Sequence, residues 1–249
     1  MQGSSNKNNA LEVRGLTKTY GSTVAVKDLC FTIARGEIFG LLGHNGAGKT
    51  TTIECILDTR KPDSGEITLL GLKIKKDRKN IFQQVGVQMQ ESHFQDKIKV
   101  WECCQATAVL YSNPLDYNEL LKDFSLSEKR NSYVSELSGG QRQKLSVLLA
   151  LIPDPKILFL DELTTGLDPK ARRDIWRYLL QQKEKGKSIL LTSHYMDEVE
   201  NLCDRICILK SGKQQITGTP EEVISSSAKQ TLEEAYLFYT GEEAIHENI

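Results

Sequence analysis

The stretch Ile38-Phe39-Gly40-Leu41-Leu42-Gly43-His44-Asn45-Gly46-Ala47-Gly48-Lys49-Thr50 (IFGLLGHNGAGKT) decides the fold. Its first five residues form an apolar run that reads as a buried strand. Gly43 to Thr50 then match the pattern G-x-x-x-x-G-K-[ST], the Walker A phosphate loop. Gly46 and Gly48 let the backbone take turns closed to other residues, so several N–H groups can converge on one anion. Lys49 adds a mobile positive charge for the outer phosphates, and the Thr50 hydroxyl can ligate the Mg²⁺ carried by a nucleoside triphosphate. His44, Asn45, Ala47 and the following Thr51 complete the cradle. A helix is expected from Lys49 to Leu57, its N-terminus aimed at the phosphates.

Downstream, Ile157-Leu158-Phe159-Leu160-Asp161-Glu162 has the form of a Walker B strand. A continuous apolar run suits a strand buried on both faces of a parallel sheet. It would deliver Asp161 to the carboxyl end of the sheet, where ligands sit in α/β folds. Asp161 would hold Mg²⁺, and Glu162 would polarise the water that attacks the γ-phosphate. Two acids after a strand can equally be a solvated helix cap; the Walker A loop tips the balance. A third motif, Leu137-Ser138-Gly139-Gly140-Gln141, opens a helical run from Gln141 to Leu151 and reads as an anion site at a helix N-terminus.

Around these motifs the chain alternates. Short strands with turns are expected between Ala10 and Ile38, with a turn at Ala34-Arg35-Gly36. A turn follows at Pro62–Gly65, then strands at Glu66–Leu70 and Val85–Gln88. From Val100 to Ile152 the pattern becomes helical, with Trp101, Ala106, Val109 and Leu110 on one face. Strands return at Ile157–Leu160, Ser188–Thr192 and Arg205–Leu209, separated by helices carrying Ile175, Leu179 and Leu180, and Tyr195–Leu202. A turn at Ser211-Gly212 and a helical tail from Pro220 to Tyr239 close the chain. Strands alternating with helices imply a doubly wound α/β core.

Bulk properties exclude several classes. The chain has 249 residues, 39% of them hydrophobic, enough for one large domain with a subdomain. Its net charge of −1 makes no case for nucleic-acid binding. No apolar stretch approaches the roughly 20 residues that span a bilayer. The start, MQGSSNKNN, is polar and reads as a disordered leader without an export signal. Of the six cysteines, Cys203 and Cys207 lie four apart and could face each other on one helix, but no further ligands support a metal there. His44, His93, His194 and His246 are scattered.

With all three motifs in place, residues 10 to 241 resemble the nucleotide-binding subunit of ABC transporters, whose signature is LSGGQ. The resemblance implies a P-loop NTPase core with a mainly parallel sheet, an N-terminal antiparallel β subdomain and a helical subdomain inserted at about 91–153. Residues 1–9 would be leader and 242–249 tail. It implies that Tyr20 stacks on adenine. Gln90, in VGVQMQ, would be the glutamine that senses Mg²⁺ and water, with Gln88 a neighbouring competitor. Gly166-Leu167-Asp168 would be the D-loop, and His194 the switch histidine on the γ-phosphate. Ser138, Gly139, Gly140 and Gln141 would cap the ATP held by a second ATPase subunit packed head-to-tail.

Three positions depart from the family pattern. Leu163 stands where proline usually stiffens the turn after Glu162. His44 replaces a frequent proline, and Asp58-Thr59-Arg60 lacks a common glycine. GEIFGLLGHNGAGKTT, LLTSHYMDE and LCDR are similar to the ATPases of ABC-2-type exporters of drugs, antibiotics, lipids or polysaccharides. That implies a separate integral membrane permease and a place on the inner face of the cell membrane. The permease would dock near Phe94, Val100 and Trp101, although Trp101 can equally be core. The competing reading is a soluble ABC ATPase acting on ribosomes or DNA. Against it stand the lack of a sustained heptad and the single cassette.

Overall fold

The computed structural model describes residues 8–89, 94, 95, 97–164 and 167–242. It contains two sheets. The first is antiparallel, with strand order β2-β1-β4-β5: β1 is Asn9–Tyr20, β2 Thr23–Ala34, β4 Ser64–Leu69 and β5 Leu72–Lys73. The short strands expected before Ile38 are thus one long hairpin. β4 starts two residues earlier than expected, inside the predicted turn, because Ser64 pairs with Thr17 of β1.

The second sheet has the order β10-β9-β3-β8-β7-β6. Its parallel strands are β3 (Ile38–Leu42), β6 (Val85–Gln88), β7 (Ile157–Asp161), β8 (Ser188–Ser193) and β9 (Arg205–Lys210). β10 (Lys213–Gly218), unforeseen in the sequence, runs antiparallel to β9 across the Ser211-Gly212 turn. Its burial rises only toward Gly218, so it lacks the apolar signature of a central strand.

The parallel strands divide their side chains between two cores, as the two-residue period of a strand requires. Ile38 and Leu42, Leu158 and Leu160, Ile189 and Leu191, and Ile206 and Ile208 face one core. Phe39 and Leu41, Ile157 and Phe159, Leu190, and Cys207 and Leu209 face the other. The latter core lies against the antiparallel sheet and α1 (Lys49–Ile56); there Phe31 stacks on Phe39 at 5.1 Å. The former is covered by α5 (Gly139–Leu151), α6 (Pro169–Glu184), α7 (Met196–Leu202) and the tail. The remaining helices are α2 (Ile74–Phe82), α3 (Val100–Ala108), α4 (Tyr117–Asp123), α8 (Pro220–Ser227) and α9 (Leu232–Thr240).

Several expectations are corrected. Cys203 caps the end of α7 and belongs to one core, whereas Cys207 sits in β9 and faces the other, so they do not share a helix. The buried face of α3 is Val100, Cys103, Cys104 and Ala108. The stripe through Ala106, Val109 and Leu110 points outward: Val109 is 68% and Leu110 69% exposed. The tail is two helices, broken where Ala228 takes a left-handed φ of 55°. The expected helical stretch, α3, α4 and α5, packs into one continuous core with the sheet face.

Candidate functional site

β3 ends at Leu42 and the chain enters the phosphate loop. Gly46 has a φ of 82° and Gly48 one of 105°, both in the region that favours glycine. Gly48 is doubly constrained, because a Cβ there would lie 2.4 Å from the Ala25 carbonyl oxygen of β2. The hairpin that carries Tyr20 therefore passes directly beside the loop. Tyr20 itself is 42% exposed at the end of β1, with the Lys18 ammonium 5.4 Å from its ring centre.

Lys49 Nζ donates to the carbonyl oxygens of Gly43 at 2.7 Å and His44 at 3.3 Å, which closes the loop into a ring around its side chain. Burial pulls the Lys49 pKa down, while the nearby Glu162 and Asp161 charges pull it back up. An anion entering the loop would do the same as those carboxylates, so the lysine is built to meet negative charge. His44 Nδ1 lies 2.7 Å from the Asn45 carbonyl oxygen, while Asn45 and Gly46 are exposed at the loop's crest.

Opposite the loop, Asp161 is 1% exposed and both of its carboxylate oxygens are engaged. Thr50 Oγ1 donates to Oδ2 at 3.0 Å, and Thr192 Oγ1 donates to Oδ1 at 2.5 Å. The Thr192 hydroxyl also accepts the Glu162 N–H at 2.9 Å. Thr192 was missed in the sequence because nothing local marks it: its partners Asp161 and Glu162 stand 31 and 30 residues away in the chain. Thr50 and Asp161 present adjacent hard oxygen donors beside the phosphate loop, a donor set that fits Mg²⁺, which keeps few protein ligands and takes phosphate oxygens. Among the described residues no three His, Cys, Asp or Glu side chains form a group that could hold a metal ion.

Glu162 has a left-handed φ of 51°, unusual for a non-glycine residue. The turn directs its carboxylate across the sheet end, where Oε1 lies 4.0 Å from His194 Nδ1. The His194 ring lies against Tyr195, tilted by 38° with ring centres 4.2 Å apart, and its side chain is 43% exposed. Gln88, the sequence competitor, is 2% exposed and donates from Nε2 to the Asp161 carbonyl oxygen at 3.3 Å. Gln90, His93 and Gly166 lie outside the described residues.

Ser138 caps α5 in a reciprocal box. Its Oγ accepts the Gln141 N–H at 3.2 Å, and Gln141 Oε1 accepts the Ser138 N–H at 3.0 Å. Ser138 and Gly139 are exposed. Gln143, one turn into the helix, donates from Nε2 to the Leu163 carbonyl oxygen at 2.6 Å. Leu163 itself, where the pattern has proline, is buried in the core beside Leu167. Of the expected docking residues, Val100 is wholly buried and offers no contact surface. Trp101 is half-buried, with the Arg130 guanidinium 5.6 Å from its ring centre, and Phe94 packs against the core.

A phosphate loop, an acid–threonine pair beneath it and a glutamate–histidine pair at its rim define an ATP-hydrolysing cassette. The family model described as ABC transporter matches residues 26–165, and the chain belongs to that family. It is 40% identical over 224 residues to the Nod factor export ATP-binding protein I of Rhizobium etli, covering 86% of this chain and 70% of the relative. It superposes on a structure described as the ATP binding subunit of an ABC transporter with a TM-score of 0.86 at 28% identity, covering 93% of this chain and 99% of the other. A dimeric bacterial ABC transporter cassette aligns at a TM-score of 0.77 and 25% identity, covering 84% and 98%.

Proposed function

We propose that this chain hydrolyses Mg²⁺–ATP in a head-to-tail dimer and thereby powers export of a substrate through a separate integral membrane permease. The observation that carries the reading is the Asp161 carboxylate, held between Thr50 at 3.0 Å and Thr192 at 2.5 Å below the phosphate loop. Gly43 to Thr51 wrap the phosphates, and Tyr20 stacks on the adenine. Thr50 and Asp161 hold Mg²⁺, which neutralises the phosphate charge when bound, and Gln90 completes the metal and water contacts. Glu162 is the general base for the attacking water, and His194 contacts the γ-phosphate.

The head-to-tail arrangement is supported by the exposure of Ser138 and Gly139 at a capped helix start. Ser138, Gly139, Gly140 and Gln141 of one subunit then cap the nucleotide of its partner. ATP is the glue, and loss of its γ-phosphate loosens the pair. Export is supported by the relative named for Nod factor export, and a separate permease by the names of that relative and of the matched structure, an ATP-binding protein and an ATP binding subunit. The cassette would sit on the inner face of the membrane.

Glu162→Gln should bind ATP and Mg²⁺ yet fail to turn over, so ATP should hold it as a dimer by size-exclusion chromatography with light scattering. Hydrolysis at the wild-type rate would remove Glu162 as the base. Glu162→Gln that binds ATP yet stays monomeric would remove the sandwich.

A further inference from the structure

β7 lies between β6 and β8, and its two neighbours treat its last residue differently. The ladder to β6 stops where Gln88 pairs with Leu160. β7 runs one residue further, to Asp161, which pairs with Thr192 of β8. Beyond the β6 ladder, side chains from both neighbours close on the peptide bond between Asp161 and Glu162. Its carbonyl oxygen accepts from Gln88 Nε2 at 3.3 Å, and its N–H donates to Thr192 Oγ1 at 2.9 Å. The Gln88 amide is itself moored, because Nε2 also donates to the Met89 carbonyl oxygen at 2.8 Å.

These contacts fix which way the amide points. Gln88 is 2% exposed, and its Oε1 is buried without a partner. Turning the amide over would set Oε1 against two carbonyl oxygens, so the side chain uses both N–H donors and leaves its acceptor bare. A bare buried acceptor costs stability, and an apolar side chain like that of its register partner Leu160 would avoid the cost. A polar group kept inside a sheet at such a cost is expected where a functional geometry must be held.

The geometry in question is that of Glu162. Its φ of 51° is left-handed, and a non-glycine residue persists there only where its surroundings hold it. The φ angle turns the residue against the peptide plane before it. A plane gripped at both its oxygen and its nitrogen cannot swing to the negative φ that sterics favour.

We propose that Gln88 is a positioning residue: with Thr192 it clamps the Asp161–Glu162 peptide and so aims the Glu162 carboxylate. It acts through that peptide and not on the nucleotide. The inference rests on Glu162 acting as the base proposed above.

Gln88→Met in the full chain keeps the length of the side chain and removes both donors. Its kcat should fall about tenfold, with KM for ATP within about twofold of wild type. In its crystal structure the Glu162 φ should be negative. The double variant with Thr192→Val should be no more than about twofold slower than Thr192→Val alone, because both side chains hold one peptide.

Wild-type kcat in folded Gln88→Met would overturn the proposal, as would a left-handed Glu162 in its crystal structure, or losses that multiply in the double variant. If Gln88→Met does not fold, Gln88→Leu is read by the same measures. If neither folds, the amide serves the fold itself and the proposal falls. An inactive Glu162→Gln beside a fully active Gln88→Met would remove the clamp alone. Hydrolysis by Glu162→Gln at the wild-type rate would remove the catalytic assignment beneath it.

Discussion

At the scale of single residues, the site is governed by one hydroxyl. Thr192 Oγ1 donates to Asp161 and accepts from the Glu162 backbone, so it holds the Asp161 carboxylate and the strained Glu162 turn at once. Thr192→Val keeps the shape but leaves a buried carboxylate oxygen and a buried N–H without partners. Unfolding in urea should show a loss of about 1–3 kcal/mol, accompanied by a fall in kcat larger than the change in ATP affinity. Glu198 has a pH signature of its own. Burial raises its pKa, so the folded chain holds that proton above the pH at which the unfolded chain releases it. Stability is therefore full below the ordinary glutamate range and falls as pH rises through it toward the raised value. The charged neighbours are Arg172 on α6 and Asp197 on α7, with the Cys203 thiol behind. Glu198→Leu should abolish this decline, so the Tm difference between variant and wild type should grow with pH across that window. A constant difference would contradict the assignment of the buried proton.

At the scale of elements, the helix that carries the signature serine is positioned by a glycine on the neighbouring strand. A Cβ on Gly86 of β6 would lie 2.0 Å from the Ala150 carbonyl oxygen of α5 and 2.7 Å from Leu158. The strand and helix backbones approach as closely as glycine allows. Gly86→Ala must therefore push α5 outward or distort β6, and neither is easily accommodated in a close-packed interior. A loss of about 1–3 kcal/mol is expected from chemical denaturation. Because α5 also reaches Leu163 through Gln143, ATPase activity should fall beyond what the lost stability explains. On α3 the apolar stripe and the buried face are different faces: Val109 keeps right-handed helical angles and its N–H still bonds the Gln105 carbonyl oxygen, yet it faces solvent because Val100, Cys103, Cys104 and Ala108 take the inward side.

At the scale of the whole molecule, the phosphate loop and Asp161 come together because β3 and β7 flank β8 in one parallel sheet, with their carboxyl ends on the same edge. Ser138 is delivered by a helix that packs on the opposite flank, against β6. If its nucleotide belongs to a partner copy, hydrolysis requires two chains. The ATPase rate per chain should then rise with protein concentration and level off once dimers dominate. A rate per chain independent of concentration, measured well below the dimer dissociation constant, would count against a shared site.

What the sequence determined by itself was the set of elements with strong local physics. β3 and β7 are legible because strands buried on both faces demand unbroken apolar runs. Gly46, Gly48, Lys49, Thr50, Asp161 and Glu162 stand out in the sequence as candidates because phosphate and metal chemistry restricts which residue types could serve. Tertiary structure alone decided the rest. β10 owes its existence to pairing with β9, not to an apolar pattern. Ala228 breaks the tail through a backbone angle that its residue type does not advertise. Cys203 and Cys207 part because a helix ends between them. Thr192 and Glu198 matter only through what stands opposite, and a hydrogen bond between residues far apart in the chain leaves no mark on local spacing.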